Sequence, residues 1–288
     1  MSIHKVLVTG AGGQLGNALV KQLLIAGYNV VPMDRKRCDV RMLEEVYQIF
    51  TKEKPDVVIH AAAYTNVDAA EENIDDAYAV NTYGTRNVAI AAKDVGARLV
   101  YVSTDFVFEG NQTKPYSEFD QTNPLTVYGQ SKLAGESMVA HFHPRSYTVR
   151  TSWLYGEDGH HFVSKIIQRA REVNELQVVS DEIGTPTYTY DLARFIQQLM
   201  NTKAYGTYHF SNQGSCSRYE WANEIIQYTK TDVPVRPIQR KELHMKGVPR
   251  PYYSVLAHRA LRLNGFPKPR PWQEALEEYV NRQHSSNS

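Results

Sequence analysis

The sequence predicts an α/β protein with a doubly wound parallel sheet and a smaller, discontinuous C-terminal lobe. Three observations indicate this fold: strand-like and helix-like segments alternate up to Arg150, a glycine-rich loop joins the first strand to the first helix, and loops rich in Tyr, Gly and Pro follow. Such alternation requires parallel pairing with right-handed crossovers, which puts helices on both faces of the sheet. We therefore expect residues 1–150 to form a nucleotide-binding domain and residues 151–288 mainly a second lobe.

The segments of the first lobe follow from hydrophobic periodicity. Residues 5–9 are short, apolar and β-branched, which is typical of a buried strand, and residues 15–26 carry apolar side chains at helical spacing. The same criteria predict strands over 29–33, 56–61 and 98–103, and helices over 43–51, 77–95 and 127–140.

The second half of the chain is less regular. Residues 147–150 and the segment 176–181 predict two further strands of the same sheet. Residues 221–230 and 271–283 predict helices of the smaller lobe, which we expect to close over the carboxyl edge of the sheet.

Composition and charge restrict the kind of partner. A net charge of +1 over 288 residues gives no electrostatic reason to expect nucleic acid or a membrane surface, so a small-molecule substrate is favoured. Cys38 and Cys216 match no metal or redox spacing, and the histidines show no zinc pattern. A strand-like run follows the first residues directly, without a signal peptide, and no apolar stretch could span a bilayer. We expect a cytoplasmic protein without a bound metal.

The loop after the first strand has the pattern of a dinucleotide site. Gly10, Gly13 and Gly16 allow a tight turn, close approach of a pyrophosphate to the backbone, and close packing of helix against sheet. The phosphates would lie at the positive end of the helix, next to Gln14 and Leu15. The first lobe is therefore predicted to be of the Rossmann type.

Other strand ends should complete the cofactor site. Asp34 follows the second strand and can accept hydrogen bonds from a ribose, which favours NADH, whereas Arg35 can meet the 2′-phosphate of NADPH. Both cofactors therefore remain open. Asp39 and Val40 are expected beside the adenine, and the end of the third strand should lie against the cofactor through Ala61, Ala62, Ala63 and Tyr64.

Tyr128 and Lys132 form a candidate acid/base pair. Four residues of helical spacing put the phenol and the ammonium on one face, where the cation would lower the pKa of the phenol. Tyr and Lys at this spacing also occur by chance on solvated helix faces, so the pair depends on the motifs around it.

Taken together, these motifs resemble the extended short-chain dehydrogenase/reductases. The motifs are the glycine pattern, Asn81, Ser103-Thr104-Asp105 and Tyr128-x-x-x-Lys132. Within that superfamily, the chain resembles the dTDP-4-dehydrorhamnose reductases in four stretches, residues 101–110, 124–136, 150–155 and 184–187. The resemblance runs from Lys5 to Leu263. It implies hydride transfer from NADPH or NADH to the C4 ketone of dTDP-6-deoxy-L-lyxo-4-hexulose, giving dTDP-L-rhamnose.

The resemblance also implies roles for single residues. Tyr128 would be the acid, Lys132 would hold the nicotinamide ribose, and Thr104 would orient the ketone oxygen. The sugar would meet Thr65, Val67, Asp105 and Trp153, and Arg250 would meet the diphosphate, although Trp153 could instead be a core aromatic.

The chain departs from the family at one pair of positions, and rival functions remain. Where some members have metal-bridged carboxylates between subunits, this chain has Ala18 and Tyr190, so we expect no structural metal and either a monomer or a homodimer. A nucleotide-sugar epimerase or dehydratase has the same fold, and a regulatory subunit that associates with methionine adenosyltransferase is similar in sequence. Net consumption of reduced cofactor separates these alternatives.

Overall fold

The computed structural model describes residues 3–242 and 248–286. In the first half, the strands are β1 Lys5–Thr9, β2 Asn29–Met33, β3 Val57–His60, β4 Arg98–Thr104 and β5 Ser146–Thr151. The helices between them are α1 Gln14–Ile25, α2 Leu43–Glu53, α3 Val67–Glu72, α4 Ile74–Tyr78, α5 Thr85–Asp94 and α6 Val127–Phe142.

The second half mixes short strands with helices. Its strands are β6 Leu154–Tyr155, β7 Leu176–Val179, β8 Ile183–Gly184, β9 Thr187–Tyr188, β10 Gly206–His209, β11 Cys216–Ser217 and β12 Val235–Ile238. Its helices are α7 Phe162–Ala170, α8 Thr189–Met200, α9 Arg218–Thr229, α10 Arg259–Leu263 and α11 Trp272–Ser286. None of the helices within the described ranges is both long and apolar enough to cross a membrane.

The main sheet has six parallel strands in the order β10-β5-β4-β3-β1-β2. The chain moves outward from β1 to β2 and then returns to the other side of β1 with β3. This reversal creates a crevice beyond the carboxyl ends of β1 and β3, where ligands bind in sheets of this kind. The predicted fold class is confirmed, and the first two predicted strands have the observed bounds.

The prediction that residues 176–181 add a strand to this sheet is wrong. β7 pairs in parallel with β12 in a separate two-stranded sheet, and the sixth strand of the main sheet is β10. The physical reason is visible in β7 itself, where Leu176 and Val178 are buried while Gln177 between them is exposed. Such alternation suits a sheet covered on one face, whereas the inner strands of a doubly wound sheet are buried on both faces.

The predicted helix over 77–95 is interrupted by a different helical geometry. α4 and α5 are joined by a π-helical segment, Ala79–Gly84. Within it, the Asn81 amide accepts a hydrogen bond from the Tyr64 backbone N–H at 2.8 Å and donates to the Ser131 hydroxyl at 3.0 Å. The segment therefore links the loop after β3 to the helix that carries Tyr128.

Separate hydrophobic cores support the sheet and the smaller lobe. Side chains on the two faces of the sheet form two clusters, around Leu19 and Val100 on one face and around Phe50 and Leu99 on the other. A third cluster, centred on the fully buried Trp221, joins α7, α9 and α11. α8 follows α7 in the chain and packs against α1, so residues beyond Arg150 contribute to the cluster around Leu19 as well as to the cluster around Trp221.

Candidate active site

One cavity of about 790 Å³ lies at the carboxyl edge of the main sheet and is lined by both halves of the chain. Every residue that the sequence indicated for cofactor, substrate or catalysis contributes to its wall. These residues are Gly10, Gly13, Gln14, Leu15, Gly16, Asp34, Arg35, Asp39, Val40, Ala61, Ala62, Ala63, Tyr64, Thr65, Val67, Thr104, Asp105, Tyr128, Lys132, Trp153 and Arg250.

The glycine loop is built for close backbone contacts. Gly10 has a φ of +69°, and a Cβ there would come within 2.6 Å of the Ala62 backbone nitrogen. A Cβ on Gly16 would overlap the carbonyl oxygen of Gly10. α1 begins directly after the N-cap Gly13, and the side-chain amide nitrogen of Gln14 is buried with no hydrogen-bond partner among the described residues. The loop and the first residues of α1 therefore line the cavity, and backbone N–H groups at such a helix N-terminus can bind a pyrophosphate.

The turn after β2 presents both an acid and cations. Asp34 Oδ1 accepts hydrogen bonds from the backbone N–H groups of Lys36 at 3.0 Å and Arg37 at 2.9 Å, which fixes the turn. Asp34, Arg35 and Lys36 all line the cavity. The geometry therefore leaves room for either a ribose hydroxyl or a 2′-phosphate at this end.

Tyr128 and Lys132 are held on α6 by a capped N-terminus. The Thr126 hydroxyl accepts a hydrogen bond from the Gly129 N–H at 3.0 Å, which starts the helix just before Tyr128. The ammonium of Lys132 donates to the Val102 carbonyl at 2.6 Å and lies 4.1 Å from the centre of the Tyr101 ring. Burial lowers the pKa of Lys132 to about 7, against the opposing charge of Glu136.

The expectation that Lys132 lowers the pKa of Tyr128 is wrong for this arrangement. Burial raises the pKa of Tyr128 to about 12, and the opposing influence is the nearby Thr104 hydroxyl. The physical reason is that the ammonium is directed at the end of β4 and not at the phenol. Tyr128 is thus a protonated phenol at neutral pH, suited to donate a proton.

Thr104 and Asp105 end β4 beside Tyr128. The Thr104 hydroxyl donates to Asp105 Oδ1 at 3.0 Å, and Asp105 Oδ2 is buried without a hydrogen-bond partner in residues 3–242 and 248–286. Burial raises the pKa of Asp105 to about 6, while hydroxyls of Ser254 and Thr104 and the charge of Arg218 act against this rise. An ionised Asp105 at the cavity wall therefore has one oxygen whose capacity to accept hydrogen bonds is not used by the described residues.

Trp153 forms part of the cavity wall and also packs against the smaller lobe. Its backbone has a φ of +46°, rare for a residue with a side chain, and its indole is stacked on Trp221 with ring centres 5.6 Å apart. The ring passes so close to Gly184 that a Cβ there would overlap it. Trp153 thus combines both roles considered for it, since it contacts the lobe core and lines the cavity.

Arg250, Thr65 and Val67 contribute to the wall from opposite halves of the chain. The Arg250 guanidinium donates to the Asp68 carboxylate at 2.8 Å, and its side chain is 35% exposed. This ion pair connects α3 to the segment that follows residue 247.

Sequence reasoning missed other wall residues. They are Gly12, Lys36, Cys38, Val80, Val102, Ser103, Phe106, Thr151, Ser152, Leu154 and Arg218. Thr151 and Ser152 could have been found from their place at the end of a sheet strand, next to Trp153. Arg218 has no such signal, because its place depends on how the smaller lobe folds back.

The cysteines and the possible metal ligands are the other reactive side chains of the described residues. Burial raises the pKa of Cys38 to about 12, which keeps this thiol protonated, and Cys216 is also buried and free. Within the described ranges, no three His, Cys, Asp or Glu side chains are placed to hold a metal ion. Ala18 lies on α1 and Tyr190 on α8.

The sheet, the glycine loop and a cavity that joins this loop to Thr104, Tyr128 and Lys132 define an extended short-chain dehydrogenase/reductase. Similarity to known proteins shows which family of this superfamily the chain belongs to. A family model described as "RmlD substrate binding domain" matches residues 4–285. The chain belongs to this family of dTDP-4-dehydrorhamnose reductases.

Several relatives are similar over nearly their full lengths. The spore coat polysaccharide biosynthesis protein SpsK of Bacillus subtilis is 43% identical over 98% of this chain and 99% of that protein. The dTDP-4-dehydrorhamnose reductase of Mycolicibacterium smegmatis is 37% identical over 96% of this chain and 85% of that protein. The crystal structure of the Bacillus anthracis dTDP-4-dehydrorhamnose reductase in complex with NADP has 44% identity and a TM-score of 0.95, covering 98% of this chain and 100% of that one.

More distant structures share the fold. The UDP-glucose 4-epimerase of Thermus thermophilus, in complex with NAD, has a TM-score of 0.84 at 22% identity, over 98% of this chain and 99% of that one. At this level of identity the likeness concerns architecture alone.

Proposed function

We propose that this protein reduces the C4 ketone of dTDP-6-deoxy-L-lyxo-4-hexulose to dTDP-L-rhamnose, with NADPH or NADH as the reductant. The observation that carries the proposal is the meeting of Thr104, Tyr128 and Lys132 in the same cavity as the glycine loop. The relatives named dTDP-4-dehydrorhamnose reductase support this substrate, and SpsK supports a place in the synthesis of a surface polysaccharide.

The three side chains fit the charge changes of ketone reduction. A bound reduced nicotinamide would supply the hydride to the carbonyl carbon. The carbonyl electron pair moves onto the oxygen, and Tyr128 donates its phenolic proton there, so that an alcohol is formed. On substrate binding, the single O–H of Thr104 would turn from Asp105 Oδ1 to the same ketone oxygen and orient it. Lys132, whose ammonium is fixed at β4 by the Val102 carbonyl, would hold the nicotinamide ribose.

The cofactor would lie along the first-lobe side of the cavity. The pyrophosphate would meet the N–H groups after Gly10 and Gly13, with Gln14, Leu15 and Gly16 starting the helix. The adenosine end would contact Asp34, Arg35, Asp39 and Val40, and the strand end Ala61, Ala62, Ala63 and Tyr64 would support the middle. Binding of NADP by the Bacillus anthracis relative favours the phosphorylated cofactor.

The substrate would occupy the remaining space near the smaller lobe. Asp105 Oδ2 would accept a hydrogen bond from a sugar hydroxyl, and Trp153 would cover the sugar ring. Thr65 and Val67 would line the entrance, with Arg250 near the phosphates. We infer a cytoplasmic enzyme, since the two described cysteines are free thiols, and either a monomer or a homodimer.

Absorbance of the reduced cofactor tests the proposal directly. The protein is mixed with dTDP-6-deoxy-L-lyxo-4-hexulose, with NADH and NADPH in parallel, and Tyr128→Phe serves as the inactive control. We expect stoichiometric oxidation that the variant lacks. A second arm offers dTDP-4-keto-6-deoxy-D-glucose, because a Streptomyces niveus relative with 36% identity is named as its reductase. Faster reduction of that ketone would overturn the proposed substrate assignment. Binding of the reduced cofactor without its consumption would favour an epimerase, a dehydratase or a regulatory subunit.

A further inference from the structure

Arg218 begins α9 and reaches into the active-site cavity between aromatic rings. Its guanidinium carbon lies 3.5 Å from the centre of the Trp153 ring, with Phe162 at 5.1 Å and Trp221 at 5.6 Å. An aromatic face attracts a guanidinium but leaves its in-plane N–H groups free to donate elsewhere. The rings therefore fix the plane of the cation without satisfying its donors.

The nearest carboxylate does not satisfy these donors either. Arg218 Nε lies 3.9 Å from Glu182 Oε2, beyond hydrogen-bond distance, and Glu182 is also 3.9 Å from Arg240. The guanidinium makes no hydrogen bond to any residue that the structure describes. Only 20% of the side chain is exposed. Arg218 is thus a mostly buried cation without the hydrogen bonds that buried cations ordinarily make.

A second cation contributes to the same wall. Arg250 lines the cavity, and its charge helps to lower the pKa of Arg218 to about 10, although burial is the larger cause. Asp105 and Glu182 act in the opposite direction on this pKa, so Arg218 lies within electrostatic reach of both Asp105 and Arg250. Arg218 remains cationic at neutral pH.

We propose that Arg218 binds the diphosphate of the nucleotide-sugar substrate and is a specificity-determining residue of the site. A planar fork of N–H donors suits the adjacent oxygens of a phosphate, and Arg250 provides a second contact. The inference rests on the proposed function, since it takes the sugar end of the substrate to lie at Thr104 and Asp105. The diphosphate then follows the sugar toward Arg218 and Arg250.

Nucleotides without a sugar test the contact separately from catalysis. Binding of dTDP and dTMP to the NADP⁺-loaded protein is measured by calorimetry for wild type, Arg218→Met and Arg218→Lys. Arg218→Met should weaken dTDP binding about ten- to a hundredfold, and dTMP binding distinctly less, because a charge-assisted hydrogen bond is lost. Arg218→Lys should fall between, since it keeps the charge without the fork.

A matched control removes one positive charge from the same lobe. Arg236 is exposed on β12 and is absent from the cavity wall, so Arg236→Met should leave both affinities unchanged. If Arg218→Met fails to fold, as judged by thermal unfolding and NADP⁺ binding, then Arg218→Lys decides, and it must still weaken dTDP more than dTMP.

The outcomes separate this inference from the proposed function. Unchanged dTDP binding in the Arg218 variants overturns the inference, as does an equal loss for dTDP and dTMP, which would mean that Arg218 only holds Trp153 in place. Wild-type protein that does not bind dTDP overturns it too. A further outcome is that Arg218→Met weakens dTDP binding while the wild-type protein never oxidises reduced cofactor. This result would overturn the proposed function and support the phosphate contact.

Discussion

The ammonium of Lys132 donates a hydrogen bond to the carbonyl oxygen of Val102 at 2.6 Å. Val102 lies on β4, two residues before Thr104, so this bond ties the helix with Tyr128 to the strand with Thr104. The bond also holds the ammonium within the cavity wall, where burial lowers its pKa. Lys132 is therefore both a structural link and a candidate contact for the cofactor.

Lys132→Met should weaken NADPH binding about ten- to a hundredfold and slow turnover, because a charge-assisted hydrogen bond to the nicotinamide ribose is lost. Fluorescence titration with NADPH and the absorbance assay measure the two effects. Met keeps the length of the side chain, so the unfolding temperature serves as the control for packing. Undiminished NADPH affinity would remove Lys132 from the cofactor site.

Tyr128→Phe should lower kcat by about a hundred- to ten-thousandfold, because the proton donor is lost while the ring remains. The phenol is protonated at neutral pH, since its pKa is raised to about 12 by burial. NADPH binding should change little, which equilibrium titration of the same variant would show. A variant with near-normal kcat would show that another group supplies the proton.

The sequence predicts the cofactor side of the cavity better than the substrate side. Gly10, Asp34 and Ala61 follow consecutive strands, and parallel pairing brings strand ends together whatever the loops do. Arg218 lies more than sixty residues beyond the end of β5, on a helix whose place depends on the core around Trp221. Local patterns do not encode such long-range packing, so this residue was missed.

The same limit explains the one wrong strand assignment. Apolar periodicity predicted a strand within residues 176–181, and β7 lies there at Leu176–Val179. The pattern of a single strand does not reveal which other strand it pairs with. Its partner β12 lies far along the chain, after α9. The pKa of Tyr128 was misjudged for a related reason, since helical spacing places Lys132 on the right face but does not reveal its bond to Val102.

Asp34→Asn should weaken NADH binding more than NADPH binding, because a ribose hydroxyl is expected to donate to the Asp34 carboxylate. The asparagine retains an oxygen for the backbone N–H groups of Lys36 and Arg37, so the turn is preserved. Arg35→Ala is the matched variant and should weaken NADPH more. Dissociation constants of NADH and NADPH for the two variants test both contacts. If each variant loses the same affinity for NADH as for NADPH, neither residue contacts the adenosine end of the cofactor.

The acid limb of kcat/KM should report Asp105. Its pKa is raised to about 6 by burial, so the carboxylate is ionised above that pH and kcat/KM should fall as the pH drops through 6. In Asp105→Asn the limb should disappear and the plateau should fall about tenfold, because a hydrogen bond to the sugar is weakened.

Asp105 also affects stability with a defined sign. The pKa of Asp105 in the folded state lies above the 3.8 of an ordinary aspartate, so the folded state binds more protons between pH 4 and 6. The stability that this group contributes therefore falls as the pH rises through that window. Asp105→Asn should therefore raise Tm at pH 7 relative to wild type and give a smaller gain at pH 4. A lower Tm at pH 7 would contradict the raised pKa.

Glu136 and Arg150 form a buried ion pair behind the catalytic residues, and breaking it should be costly. The guanidinium donates to the two carboxylate oxygens at 2.9 and 2.7 Å, and Glu136 also accepts from the Ser103 hydroxyl at 2.6 Å. Both side chains are at most 10% exposed. Glu136→Gln should lower the free energy of unfolding by about 3–5 kcal/mol, because Arg150 is left as an unpaired buried charge.

The double variant Glu136→Leu with Arg150→Met separates the pair from the space that it fills. Replacing both charges by apolar groups removes the unpaired cation, so chemical denaturation should show a smaller loss than Glu136→Gln alone. Ser103 precedes Thr104 on β4, and the double variant removes the hydrogen bond from the Ser103 hydroxyl to Glu136 on α6. Turnover should therefore still fall, although the bond between Lys132 and Val102 remains. Equal destabilisation by the single and double variants would show that packing, and not an unpaired charge, accounts for the loss.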